Sequence, residues 1–322
     1  MARRRRAVGV AAPHRGRASC RLAAGPALPA GRIAGFGAAR RLGTTEPFDG
    51  ATLFAFLRRF AVPGVEAHDE VGGVLGLTRT LRLAHGPGAV RLTWDGAALR
   101  LAYAGHPDDE DDAVVRVRRL VDADAPVDAV AARLGDDPHL ADDVASSPGL
   151  RLPGATDTAE AAIQALVSQQ ISMAAAARCS AKLTEAYGER LVLPGVADGS
   201  ETSVGWLFPR MEALAASDPA TLPMPRARGR ALVGLAGALA SGALVLDPDA
   251  SWPEQRVALL ALPGIGPWTA DVVGLRALGA RDVLLGTDLA IRRQLEARGV
   301  GATAAWAPYR SYATVHLWRP YV

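Results

Sequence analysis

Cysteine is almost missing from this sequence: 322 residues hold two, Cys20 and Cys179, far apart and in dissimilar surroundings. That scarcity excludes a disulfide framework, any Cys-rich metal site, and a four-cysteine iron–sulfur cluster within the chain. The six histidines are scattered without the close spacing of zinc ligands, so no metal and no other cofactor is expected. Lysine is scarcer still. Lys182 is the single one, every other basic residue being arginine, and chemistry that needs a lysine nucleophile has one place to find it. No run approaches the ~20 uninterrupted apolar residues of a membrane span. The sequence reads as a soluble, cytoplasmic chain long enough for two or three packed units.

Acidic residues are absent from the first 45 positions, which contain ten arginines. The whole chain carries +3, but beyond that segment 26 basic side chains face 33 acidic ones, a net of −7. Bulk charge therefore gives no support for nucleic-acid binding, and any phosphate contact must come from a local patch or from backbone amides. Residues 1–45, rich in Ala, Arg, Gly and Pro without an apolar period, are expected to be a disordered extension. Acid-poor, Arg-rich starts also resemble organellar transit peptides, and an over-extended start codon is an equally bland reading. The piece from Ala34 to Leu42 resembles part of the recognition helix of an arabinose-regulator type of helix-turn-helix.

Between Phe48 and Phe60 the spacing of Leu53, Phe54, Phe56, Leu57 and Phe60 is helical, and after Pro63-Gly64 it changes to period two. Three strands are expected. One runs from Leu75 to Leu83, one carries Val90, Leu92 and Trp94, and one carries Leu99, Leu101 and Tyr103. Turns at His85-Gly86-Pro87-Gly88 and at Asp95-Gly96 would join them. This α+β unit, residues 46–112, would end at the acidic linker Asp108 to Asp112. From 113 to 322 nearly everything reads as helix. Asp157 with Glu160 makes a capping-box pattern before the apolar-rich stretch Ala161 to Ala186, which divides near Gln170; further helices span Arg226 to Leu239 and Pro253 to Leu262. The expected fold class is α+β, a small antiparallel β-sheet domain followed by an all-helical region.

The most informative segment is Leu262-Pro263-Gly264-Ile265-Gly266-Pro267-Trp268-Thr269-Ala270, between two helices. Gly264 and Gly266 would turn the chain with positive φ and bring bare backbone near a ligand. Ile265 would point inward, and Pro267 fits the first helical position. The turn and the helix after it present backbone amides with the positive end of the helix dipole, which bind a phosphate without side-chain charge.

With this hairpin the sequence resembles the helix-hairpin-helix DNA glycosylase superfamily, and within it the 3-methyladenine DNA glycosylase II type, from roughly Glu46 to Trp318. Leu150 to Gly154, Leu166 to Ser172, Trp268 to Asp271, Asp282 to Asp288 and Arg310 to Trp318 carry the rest of the match. The resemblance implies two helical subdomains flanking an active-site cleft, with Asp288, 20 positions after Trp268, as catalytic carboxylate. Asp288 also stands where an N-cap is wanted, and the two roles are compatible. Trp268 and Trp318 fall at pocket aromatics. Val272 departs from the pattern, since the family often carries another aromatic there. Gln170 falls where the family inserts a side chain into the duplex gap. Gln169, Gly264, Ile265, Gly266 and Thr269 fall at the DNA contact.

The implied chemistry has a physical rationale. A base within a duplex must be extruded and the gap filled. Alkylation at N3 or N7 makes the purine cationic, which weakens its glycosidic bond and favours stacking on indole faces. The leaving base builds positive charge on the sugar, and a carboxylate beside C1′ stabilises it. Bifunctional relatives place a lysine in the helix after the hairpin; this chain has Trp268 there, so no lyase step is expected. The reading is thus a monomeric, monofunctional enzyme of base excision repair acting on double-stranded DNA with alkylated bases. Rival readings are a non-enzymatic DNA grip, a glycosylase for oxidised, mismatched or uracil bases, and a repair regulator reduced to a remnant in residues 1–45.

Overall fold

The period-two stretch after Pro63 forms an antiparallel meander in this computed structural model, which describes residues 31–32, 35–192 and 204–322. Strands β1 (Gly31–Arg32) and β2 (Arg40–Arg41) precede helix α1 (Gly50–Arg59). Strands β3 (Glu66–Val71), β4 (Val74–Leu83), β5 (Gly86–Trp94) and β6 (Leu99–Ala104) follow, in a five-stranded sheet of order β2-β6-β5-β4-β3. The three expected strands are present, and β3 and the edge strand β2 are additional. In β3 the alternation is carried by Glu66 and His68 rather than by apolar side chains, so hydrophobic periodicity does not reveal it. Gly72 and Gly73, at φ +59° and +79°, close the β3–β4 hairpin as a two-residue turn that needs left-handed backbone at both positions. The β4–β5 turn lies at Ala84-His85 rather than at His85 to Gly88. Pro87 is tolerated in β5 because β6 pairs only with Ala89 to Trp94, leaving no ladder partner on that side.

Two expectations need correction here. The acidic stretch Asp108 to Asp112 is no linker: it opens helix α2 (Glu110–Leu120), whose dipole favours acids in the first turn. Ala113, Val117 and Leu120 of α2 pack with Leu53, Phe54 and Leu57 of α1 and with the sheet. This core continues to Ala123, so the first unit does not stop at 112. Nor is residues 1–45 wholly an extension outside the fold. Arg40 and Arg41 pair with Leu101 and Arg100, Leu42 is buried at 6% exposure, and the Thr45 amide donates to Ala123 O. Gly35 to Ala39 are non-helical and Arg40–Arg41 are strand, so the recognition-helix resemblance does not correspond to a helix there. Residues 1–30 and 33–34, with the rest of that expectation, lie outside the described residues.

After helices α3 (Val127–Gly135) and α4 (Ala141–Ser146), the second core is built from α5 (Thr158–Val167), α6 (Met173–Tyr187), α7 (Met211–Ala215), α8 (Arg226–Ala240), α9 (Trp252–Leu260), α10 (Pro267–Val272), α11 (Leu289–Ala297) and α12 (Arg310–Trp318). The short strands β7 (Glu189–Val192) and β8 (Trp206–Leu207) pair beside it, with β1 on β7. The division near Gln170 falls between α5 and α6. Asp157 caps α5 by accepting from the Glu160 amide at 2.8 Å, but the Glu160 side chain turns inward to Arg79 instead of completing the capping box. Phe56 belongs to the helical core while its neighbours on α1 belong to the sheet core, so α1 joins the two units. No helix of the described residues is long and apolar enough to cross a membrane.

Candidate active site

The hairpin runs from α9 through Gly264, Ile265 and Gly266 into α10. Gly264 holds φ +86°, and a Cβ there would stand 2.4 Å from the Ala231 Cβ of α8, so both backbone and packing require glycine. Gly266 is different. Its φ of −98° and ψ of 173° are open to any residue, and no atom lies within 4 Å of a Cβ built there. The expectation of positive φ at both glycines therefore fails at Gly266, whose bare face leaves the backbone approachable. Ile265 is buried in the helical core as expected. Thr269 is buried too, and its Oγ1 accepts from Gln169 Nε2 at 2.7 Å; the same amide donates to Gly264 O at 3.0 Å. Gln169 thus latches the α5–α6 connection to the hairpin. Gln170 beside it is exposed, with a left-handed φ of +55° that a non-glycine residue holds at a cost of roughly 1 kcal/mol or more.

Asp288 ends the turn before α11 and caps that helix: its Oδ1 accepts from the amides of Ala290 at 2.9 Å and Ile291 at 3.1 Å. Trp268 Nε1 donates to its Oδ2 at 2.8 Å, and Trp318 Nε1 to Oδ1 at a long 3.4 Å. The carboxylate is therefore held by a helix N-terminus and two indoles. It opens on a cleft of about 340 Å³, which Trp268, Val272, Asp288 and Trp318 all line. Val272 is buried in the wall. Gln169, Gln170 and the hairpin residues do not line the cleft; Ser168 and Ile171, on either side of the two glutamines, do. Asp271, the other carboxylate of the motif, pairs with Arg256 at 2.6 Å and borders a different surface depression.

Sequence reasoning missed several lining residues. Phe56, Arg59 and Phe60 come from α1 and its end, and the Phe60 ring meets Trp318 with centroids 6.2 Å apart. The signal was present: Phe56 and Phe60, four apart, lie off the stripe that α1 turns to the sheet. Gln164, Arg276 and Arg293 were missed as well. The Arg276 guanidinium lies 3.9 Å from the Phe60 ring centroid, and burial lowers its pKa to about 10. Behind the cleft lies a buried ion network in which Arg79 donates to Glu66 Oε2 and Glu160 Oε1, both at 2.5 Å. Burial works to raise the Glu66 carboxyl, but His68 and Arg79 outweigh it and hold it below the ordinary range; Glu160, for which burial dominates, is pushed up. Arg59 and Arg293 are exposed and make no ion pair among the described residues. They are free cations at the cleft mouth.

Such a cleft, flat-walled with indoles and a phenyl ring, accepts an aromatic ring, sets one oriented carboxylate beside it and offers two free arginines to a phosphate. Comparison with known proteins agrees with that shape. The AlkA N-terminal domain family matches residues 39–157. A "Probable bifunctional transcriptional activator/DNA repair enzyme AlkA" of Mycobacterium tuberculosis is 38% identical over 289 residues, covering 86% of this chain and 56% of the relative. The DNA-3-methyladenine glycosylase 2 of Escherichia coli is 37% identical over 185 residues, 54% of this chain and 61% of that one. The chain thus spans little more than half the length of the curated relatives it matches. Among solved structures, a 3-methyladenine DNA-glycosylase from Archaeoglobus fulgidus superposes with a TM-score of 0.69 over 88% of this chain and 98% of its own, at 18% identity. A Clostridium acetobutylicum 8-oxoguanine glycosylase/lyase, in complex with double-stranded DNA, gives 0.59 over 80% and 98%, at 15% identity. These two likenesses establish the fold. Beside that fold, the chain carries a match to the AlkA N-terminal domain family over residues 39–157 and is similar in sequence to curated DNA-3-methyladenine glycosylases.

Proposed function

We propose that this chain is a monomeric, monofunctional DNA N-glycosylase that extrudes alkylated purines from double-stranded DNA and hydrolyses their glycosidic bond. The observation that carries the reading is the placement of Asp288: a carboxylate oriented by Trp268, Trp318 and the amides of α11, at the edge of an aromatic cleft. As the C1′–N bond breaks, its electron pair leaves with the base and the sugar becomes cationic. Asp288 stabilises that charge, and water then adds to C1′ and gives up a proton. A cationic alkylpurine leaves readily, so binding and the carboxylate suffice without a strong general acid. The exposed Gln170, at a strained turn latched to the hairpin by Gln169, supports its role as the side chain that fills the gap. Gly264 and Gly266 keep the hairpin backbone open to a phosphate, and Arg59 and Arg293 add charge at the cleft mouth.

A lyase step would need an amine at the sugar. The cleft lining includes no lysine, and Lys182 is exposed on α6. Incubation with methylated duplex DNA tests both parts: mass analysis of the released bases should find 3-methyladenine and 7-methylguanine, and the DNA should stay unbroken until alkali is added. Release of no base would overturn the reading; strand nicking with borohydride-trapped protein would overturn its monofunctional part.

A further inference from the structure

Gln164 stands in the middle of α5, four residues after Glu160. Together with Phe60 and Arg276 it lines both the cleft and the small void behind it, so its side chain stands between the base cleft and the buried ion network. The orientation of its amide follows from chemistry. Glu160 Oε1 accepts from Arg79, which makes that oxygen an acceptor whether or not the carboxyl carries a proton on its other oxygen. The Gln164 atom 2.7 Å from it is therefore the Nε2 donor. Flipping the amide would set two acceptors against each other. Arg79 fixes Glu160 in turn, being itself clamped by Glu66 at 2.5 Å and by Thr156 at 2.7 Å.

The Oε1 of Gln164 is thereby left over. No group donates to it among the described residues, and the Ser168 hydroxyl and the two indoles of the cleft are committed elsewhere. The Ser168 hydroxyl donates to the Gln164 backbone carbonyl at 2.8 Å, and both indole N–H groups go to Asp288. An unclaimed neutral acceptor, locked in orientation from behind, is what a cleft needs to read an N–H on its ligand. A site built to hydrogen-bond a donor rejects an analogue lacking it, because its own polar group is then stranded.

We propose that Gln164 is a specificity-determining residue, whose Oε1 accepts a hydrogen bond from an amino or ring N–H of the extruded purine. The inference rests on the glycosylase reading and adds to it a preference within the purines, for bases that carry a free N–H donor over bases in which alkylation has closed that edge.

The test is single-turnover release from duplexes bearing 7-methylguanine, which has such donors, or 1,N6-ethenoadenine, which has none. Where a base is not released, the Kd for a duplex carrying it on a 2′-fluoro sugar is read instead. Gln164→Met, which keeps the length and removes the acceptor, should slow 7-methylguanine release or weaken its binding roughly tenfold. It should leave the ethenoadenine measurement within about twofold. Gln164→Asn, which draws the amide back by one methylene, should give the same selective loss and serves if the Met variant folds poorly. Equal loss on both bases, or no loss on 7-methylguanine, in a variant that melts like the parent overturns the assignment. Failure of the unaltered protein to release any base is a separate result, and overturns the glycosylase reading instead.

Discussion

Trp268 Nε1 donates to Asp288 Oδ2 at 2.8 Å across 20 residues of sequence, so the side chain expected to stack on a base also aims the carboxylate. The hydrogen bond is charge-assisted, and such bonds contribute about 1.5–3 kcal/mol. Trp268→Phe keeps an aromatic face and removes the donor. Base release in single turnover should fall by roughly 10- to 100-fold, with lesion binding reduced far less. Unchanged release with a lowered melting temperature would mean that Trp268 only packs.

The two hairpin glycines should respond differently to alanine. At Gly264 the new methyl group meets Ala231 at 2.4 Å in a left-handed backbone, so Gly264→Ala should destabilise the fold by ~1 kcal/mol or more and weaken DNA binding through the distorted turn. At Gly266 the backbone accepts alanine and the methyl meets nothing. Gly266→Ala should therefore melt like the parent while losing affinity for undamaged duplex, because the methyl stands where the phosphate would approach. Thermal melting and fluorescence anisotropy on both variants check this, and parental DNA affinity in Gly266→Ala would remove the hairpin as phosphate grip.

His316, on α12 two residues before Trp318, is buried with its Nδ1 unpartnered among the described residues, and burial pushes its pKa down to about 4. The folded value lies below the unfolded one of about 6.5, so the unfolded chain takes up the proton first. Stability should be full above pH 6.5, decline as pH falls towards 4, and lose at most about 3 kcal/mol from this group. Denaturant unfolding across that range should show the slope, and His316→Leu should flatten it. A slope unchanged in the variant would assign it to other groups.

What could be read from the chain alone divides along one physical line. Asp288, Trp268, Trp318 and Val272 were legible because they follow the hairpin at motif spacing, and one local stretch of helices brings them into the cleft. The contributions of α1 were not, because Phe56 and Phe60 reach the cleft by tertiary packing more than 200 residues away from Asp288 in sequence. Strand β3 escaped for a related reason. Its inward side chains are Glu66 and His68, which hydrogen-bond to each other while Arg79 on the neighbouring strand pairs with Glu66, and a hydrophobic pattern cannot announce a buried ion pair. The acidic run at Asp108 looked like a linker by composition, yet acids at a helix start are what the macrodipole favours.

The ordering of residues 40–45 revises what truncation should do. A chain beginning at Thr45 loses the β2 pairing and the buried Leu42 side chain, whose burial contributes about 1.5–3 kcal/mol. Its melting temperature should fall by several degrees, while a chain beginning at Gly35 should melt closer to the parent. Base release at low temperature should survive in both, since no cleft-lining residue precedes Phe56. Equal melting of the two shortened chains would show that β2 adds nothing to stability.

Asp288→Asn separates catalysis from capping only if the indole is considered with it. The Asn Oδ1 can keep accepting from Ala290 and Ile291, so the cap survives, but its Nδ2 hydrogens then face the Trp268 N–H. Part of any loss in the single variant would come from that donor–donor contact. In a Trp268→Phe background the contact is gone, and the further effect of Asp288→Asn reports the missing charge. Removing one electrostatic group that acts on the developing sugar cation typically costs ~10²–10³ in rate. The double variant should release a labile base such as 3-methyladenine at least about a hundredfold more slowly than Trp268→Phe alone. Its affinity for the lesion and its melting temperature should stay close to those of Trp268→Phe. If release in the two differs by less than about threefold while the double variant melts lower, Asp288 is a helix cap and the cleft lacks its catalytic carboxylate.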